Sequence, residues 1–228
     1  WTDGFPSCIR SSGSIFHGSL GNAAMISERL DWSPGSYCPV QNFCCSAWYE
    51  TARNWLVQKD WLIVRADELV KDASAIAASI GSPRSFFVRP DSPLKPFSGR
   101  VVDVDSLTLE KLDYGFYFDD ESIPVVAAPL RSIGEEWRFV IVRGEVIAGS
   151  AYDAATRSPI AADPDSDAAR FAERVASDIP APAEVYVLDV CRCDGELRLL
   201  ELNPFGGADL YAADAVAIVD AVSKVAAG

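Results

Sequence analysis

Two apolar runs near the C-terminus, residues 185–191 and 197–202, flank Asp194-Gly195. An Asp-Gly pair between two such runs is a hairpin signal, so the runs are expected to pair as antiparallel strands. Further strands are expected over 61–64, 86–89, 100–104, 125–128, 137–142 and 146–150, with Arg143-Gly144 turning the chain between the last two. Helical spacing governs Ala47, Trp48, Thr51, Ala52, Trp55 and Leu56, behind Ser46 as the expected N-cap. Trp48 and Trp55 are read there as core packing rather than base stacking. More helices are expected over 67–80, 167–177 and 212–225. Residues 1–36, rich in Gly, Ser and Pro, and the stretch 154–164 read as loops. Strands broken by a few helices predict an α+β fold.

Along a strand side chains alternate faces, so Glu201 and Asn203 share one. Loop length decides what opposes them. A two-residue Asp-Gly turn sets Asp189 against Leu200 and Leu188 against Glu201, mixing polar and apolar on both faces. A three-residue loop, Cys193-Asp194-Gly195 with Gly195 left-handed, sets Leu188 against Leu200 and Tyr186 against Leu202. That register gathers Asp189, Glu201 and Asn203 on the other face, and it is the one expected. Two carboxylates and an amide carbonyl suit a hard cation completed by water or phosphate oxygens. A solvated polar face at a sheet edge alternates in the same way. The run Pro204-Phe205-Gly206-Gly207 should turn the chain and let a ligand approach the backbone closely.

Basic residues add a second theme. Arg89 ends an apolar strand and leads into a loop carrying Lys95, Ser98 and Gly99, which can contact an α-phosphate and a β/γ pair. A stiff, ligand-free turn reads alike. Arg138 sits on a strand with apolar neighbours: pointing inward it needs an anionic partner, pointing outward it snorkels.

Composition removes some functions. A net charge of −13 argues against a surface that coats nucleic acid. No apolar run reaches the roughly 18 residues of a membrane span. The six cysteines, Cys8, Cys38, Cys44, Cys45, Cys191 and Cys193, make no C-x-x-C pair and are expected as buried thiols without zinc. His17, the one histidine, is read as a loop or core residue rather than a catalytic base.

The runs FFVRPDSPLKPFSG, VVAAPLRSIGEEWRFVIVRGEVIAGSAY and YVLDVCRCDGELRLLELNP resemble the successive motifs of ATP-grasp ligases. With PGSYCPVQNFCCSAWYETARNWLVQKDW upstream they resemble a bacterial and phage subgroup, over residues 34–212. The resemblance implies an ATP-grasp fold, with nucleotide between two small α+β subdomains. Residues 1–82 would be a reduced N-terminal region with substrate contacts, and 83–228 the nucleotide- and metal-binding region. By the same resemblance Arg89 takes the α-phosphate, while Lys95, Ser98 and Gly99 belong to a mobile loop over the phosphates. Val126 to Leu130 form a hinge whose backbone, at Ala127, Ala128 and Leu130, holds adenine. Arg138 orients phosphate or acyl phosphate, and Asp189, Glu201 and Asn203 bind Mg2+. The implied activity is a cytoplasmic, ATP- and Mg2+-dependent ligase joining a small-molecule or peptide carboxylate to an amine or thiol. It would act through an acyl phosphate and release ADP and phosphate, with neither nucleic acid nor membrane as partner. A kinase on a small acceptor and a non-catalytic nucleotide-binding protein are the alternatives. Departures from the family pattern are the absence of an acidic ribose-binding residue in VVAAPLRSI, of a second phosphate-binding lysine, and of a full N-terminal domain.

Overall fold

The computed structural model describes residues 12–28, 32–82, 84–113, 120–152 and 158–228. The first segments are more ordered than their composition suggests. Strand β1 (Ser12–Ile15) and, after helix α1 (Leu20–Ser27), strand β2 (Ser33–Gly35) pair in parallel. Besides the buried Ala23 and Ile26, long-range hydrogen bonds hold this unit. The Ser36 hydroxyl donates to the Ala23 carbonyl at 2.5 Å, and the Gly18 N–H to the Gly206 carbonyl at 2.8 Å.

Helix α2 (Cys45–Trp48) is a single turn that continues as looser turns to Trp55. Its N-cap position is Cys44, not Ser46. Instead the Ser46 N–H and hydroxyl donate to the two carboxylate oxygens of Asp91, at 2.7 and 2.9 Å. A carboxylate from another part of the chain thus supplies the cap. Of the apolar stripe, Trp48, Ala52 and Leu56 are buried, Trp55 is half-buried, and Ala47 and Thr51 are exposed. Both tryptophans pack in the core.

The next stretch folds as strand β3 (Leu62–Arg65), helices α3 (Ala66–Lys71) and α4 (Ala73–Ser79), strands β4 (Ser85–Pro90) and β5 (Arg100–Asp103), helix α5 (Leu109–Asp113) and strand β6 (Pro124–Ala128). The single helix expected over 67–80 is broken at Asp72, whose φ of −112° and ψ of 24° leave helical geometry. The strands form a four-stranded antiparallel sheet in the order β3-β6-β4-β5. Leu69 and Ala77 from the helices pack on Phe86, Val88, Val125 and Ala127 from the strands. The division expected at residue 82 runs through this unit, since β3, α3 and α4 precede it.

The remainder comprises strands β7 (Ile133–Val142), β8 (Glu145–Tyr152) and β9 (Pro159–Ala161), helix α6 (Asp167–Asp178), strands β10 (Val185–Cys193) and β11 (Glu196–Pro204), and helix α7 (Ala215–Ala227). The five strands lie antiparallel in the order β11-β10-β7-β8-β9. Three exposed residues make up β9, too short to stand out from the loop expected there; residues 153–157 of that loop lie outside the described residues.

Helix α6 covers one face of the sheet, setting Phe171 and Val175 in one cluster with Phe139, Ile141 and Leu188. Its strong amphipathicity makes it a lid for that face, and the Ser166 hydroxyl accepts from the Ala169 N–H to start it. Helix α7 covers only part of the other face, where Ile218 and Val222 share a cluster with Val140, Val142 and Val187. The remaining end of that face carries Arg138, Asp189 and Glu201.

Cys38, Cys44, Cys45, Cys191 and Cys193 are free and buried, while Cys8 lies outside the described residues. Burial pushes the Cys38 and Cys44 thiols up to about 11 and that of Cys191 to about 12. His17 packs at a tilt against Phe205 and shares a 2.9 Å hydrogen bond with the Ala208 carbonyl, a satisfied structural residue. Among the described residues no helix is long and apolar enough to cross a membrane.

Candidate functional site

The hairpin β10–β11 corrects the expected register in an informative way. Asp194 and Gly195 both have positive φ, 52° and 81°, and close Cys193 against Glu196 as a two-residue turn. The three-residue loop is therefore absent. Pairing runs in step to Val190 opposite Leu199, then jumps to Asp189 opposite Glu201. Leu200 is the extra residue of a β-bulge. Leu188 lies opposite Leu202, and Tyr186 opposite Pro204.

Hydrogen bonds from outside the sheet flank the bulge. The Leu199 N–H donates to the Trp55 carbonyl at 2.8 Å, and its carbonyl accepts from the Val57 N–H at 2.9 Å. These bonds pin the outer edge of β11 on one side of Leu200. The parity lost in the turn is regained there, and Asp189, Glu201 and Asn203 share a face after all.

Register across the sheet completes the row. Arg138 on β7 is the direct partner of Asp189, and Ser150 on β8 is the partner of Arg138. The Arg138 guanidinium donates to both Asp189 oxygens, Nε at 2.8 Å and Nη2 at 2.7 Å. Its third arm reaches the Asp209 carbonyl at 3.0 Å, and it lies 5.1 Å from the Tyr211 ring centre. The Asn203 amide donates to Asp189 at 3.0 Å. Arg138 therefore points inward and has its anion.

Two further cations come from the four-stranded sheet. Arg89, at the end of β4, is ion-paired with Glu201. Lys95 Nζ donates to Glu201 Oε2 at 3.0 Å and to Asn203 Oδ1 at 3.2 Å. Burial works against a charged Arg89, but Glu201, with Cys45 and Tyr49 close by, more than reverses this and holds its protonation above the usual range. Burial likewise pushes the Asp189 carboxyl up, against the pull of Arg138.

Glu201 shows the opposite balance. Burial would raise its pKa, but Arg89 and Lys95 outweigh it and bring the carboxyl down to about 2 from 4.5. A depressed folded-state pKa stabilises the protein fully above 4.5, and that contribution fades as the pH falls towards 2. Urea titrations of the wild type and Glu201→Gln should therefore differ by a constant amount, about 3 kcal/mol, above pH 4.5. Below it the gap should close. A gap independent of pH down to 2 would contradict the ion-pair account.

The other expected contacts are placed as follows. A Cβ at Gly99 would come 2.7 Å from the Phe87 ring, so glycine lets the loop lie on β4. The Ser98 carbonyl accepts from Arg100 at 3.0 Å. Val126 is the strand partner of Arg89, Ala127 and Ala128 are buried within β6, and Leu130 is 41% exposed just beyond it. The Gly206-Gly207 turn is closely approached by protein rather than left open for a ligand. A Cβ at Gly206 would collide with the Ser36 carbonyl, and one at Gly207 with Leu20.

A cavity of about 640 Å³ opens on this row, walled by Arg138, Asp189 and Glu201 and continued by Leu200, Tyr152 and Tyr211. Tyr211 under Arg138 and Asp91 under Ser46 are contributors that sequence reasoning missed. The Asp in the Arg89-Pro90-Asp91-Ser92 run, directly after a strand, was the available signal for the second.

The oxygen donors fit a hard cation. Glu201 Oε2 and Asn203 Oδ1 already converge on one positive charge, the Lys95 ammonium, with Asp189 joined to Asn203. Among the described residues no group of three His, Cys, Asp or Glu side chains could hold a metal. Two carboxylates and an amide would thus need phosphate or water oxygens to complete a shell.

In this arrangement cations from one sheet meet carboxylates of the other. The model of an ATP-grasp domain family, numbered family 3 within its clade, matches residues 27–222, and the chain belongs to that family. Among solved structures, D-cycloserine synthetase DcsG is 18% identical with a TM-score of 0.63, over 99% of this chain and 88% of that one. ATP-grasp ligase PsnB, complexed with a phosphomimetic variant of its minimal precursor, Mg and ADP, is 18% identical with a TM-score of 0.55. This chain aligns over 87% of its own length and spans 66% of PsnB. At such identities the likeness is one of fold. A search of the curated proteins finds no match.

Proposed function

We propose that the protein is an ATP- and Mg2+-dependent ligase that joins a carboxylate to an amine or thiol through an acyl phosphate. The observation that carries this reading is the meeting of Arg89 and Lys95 from one sheet with Glu201 and Asn203 from the other, beside the Arg138–Asp189 pair. A triphosphate bound there finds cations on one side and metal-ligating oxygens on the other. Arg89 takes the α-phosphate; Lys95, with the Ser98-Gly99 loop, takes the outer phosphates; the backbone at Ala127, Ala128 and Leu130 takes adenine. Asp189, Glu201 and Asn203 hold Mg2+, which when bound neutralises charge on the phosphates.

The substrate carboxylate attacks the γ-phosphorus and ADP leaves. The amine then attacks the acyl carbon, gives up a proton, and phosphate leaves. Arg138 steadies charge on the transferring group. Complexes of PsnB with Mg and ADP, and with a precursor peptide and AMPPNP, support both the cofactors and a peptide among the substrates. The cytoplasm, which supplies ATP, is the compartment this reading favours.

The test is an acid screen with hydroxylamine. A hydroxamate and ADP are expected with the right acid, and Glu201→Gln should reduce both by about 10²-fold or more, as loss of a charge-stabilising group does. AMP and pyrophosphate would refute the acyl phosphate. A stable phosphorylated acceptor would make the protein a kinase instead.

A further inference from the structure

Every carboxylate oxygen of Asp189 and Glu201 already has a donor. Arg138 holds both oxygens of Asp189, Arg89 holds Glu201 Oε1, and Lys95 holds Glu201 Oε2 together with Asn203 Oδ1. A divalent cation bound by Glu201 and Asn203 needs the two oxygens that Lys95 occupies. An ammonium and a metal ion cannot share them, because like charges at such spacing repel strongly in a partly buried site.

The three cations differ in their freedom to leave. The Arg89 side chain is 12% exposed and packed near Cys45 and Tyr49. Arg138 is 17% exposed and tied to the Asp209 carbonyl and the Tyr211 ring. Lys95 is 38% exposed, on a loop, and its ammonium contacts only Glu201 and Asn203 among the described residues. A flexible four-carbon stem with a point charge can swing to a new anion without breaking other bonds.

We propose that Lys95 is the resident counter-ion of the metal site, so that a divalent cation enters only when nucleotide phosphates draw Lys95 off Glu201 and Asn203. The proposal rests on the metal reading of Asp189, Glu201 and Asn203 above. It makes the metal arrive with the nucleotide rather than before it. Free metal finds the position filled, and the bare protein keeps its acidic cluster neutralised by its own side chain.

Mn2+ titrations followed by electron paramagnetic resonance test this, using wild type, Lys95→Met and Lys95→Met/Glu201→Gln, each with and without ADP. Met keeps the stem of a side chain that is already partly exposed, so the fold should be retained, as circular dichroism would verify. Without nucleotide, Lys95→Met should bind Mn2+ about tenfold or more tightly than wild type, the loss of a competing charge-assisted contact. The gain should vanish in the double variant, and ADP should raise wild-type affinity. Equal affinity of wild type and Lys95→Met without ADP, with wild type binding Mn2+ once ADP is added, overturns the counter-ion and leaves the metal site standing. Absence of Mn2+ binding even with ADP overturns both. A gain that survives Glu201→Gln sets the ion elsewhere and also overturns the proposal.

Discussion

Arg89→Met should be among the most damaging single substitutions, costing about 3–5 kcal/mol of folding stability. The side chain is only 12% exposed, and its loss leaves Glu201, itself 13% exposed, with Lys95 as its remaining cation. A carboxylate stripped of a buried partner cannot recover the hydration it gave up on folding. Lys95→Met removes a more exposed partner and should cost about 1 kcal/mol or less. Urea denaturation at pH 7 compares the two directly. Equal, small effects would mean that Arg89 is well hydrated and the site more open than described. Calorimetry on the folded fraction should also show weaker ATP binding for Arg89→Met, by about 1.5–3 kcal/mol for a charge-assisted contact.

Asp189→Ala should be of similar severity, about 3–5 kcal/mol, because it leaves Arg138, only 17% exposed, without its carboxylate and the Asn203 amide unpaired. The informative comparison is Arg138→Met/Asp189→Leu, which removes the charges together. Apolar replacement of a whole buried pair is often near neutral, so this double variant should recover most of the stability. It should still lack any ligase activity. Stability and function would then separate at one pair. A double variant as unstable as Asp189→Ala would show that packing, not charge, dominates there.

Much of this was legible in local pattern. Apolar runs bounded by turn signals located β4, β6, β7, β8, β10 and β11 within a few residues, and the Asp-Gly pair located the hairpin. The common face of Asp189, Glu201 and Asn203 was anticipated, yet through a loop that does not exist. Local pattern could not supply the bulge at Leu200, which sits beside hydrogen bonds between Leu199 and the distant Trp55 and Val57. Helix α2 was misjudged for a related reason: Ser46 carries a capping side chain, but Asp91 competes for its N–H and hydroxyl. The pairing of Arg89 with Glu201 was equally out of reach, since it depends on how two sheets face one another. Alternation reports which side of a strand a residue occupies, and says nothing of which sheet stands opposite.

The bulge at Leu200 also bears on how this hairpin tolerates changes of length. Asp189 and Glu201 are held opposite one another by the sum of two offsets, one in the turn and one in the bulge. A single-residue deletion between Asp194 and Leu200 would send either Glu201 or the apolar positions to the wrong side of the sheet. Lengthening the turn by one residue while deleting Leu200 would leave the parity of the site unchanged. Related chains should therefore show length differences here in compensating pairs, with an odd change at one place balanced by an odd change at the other.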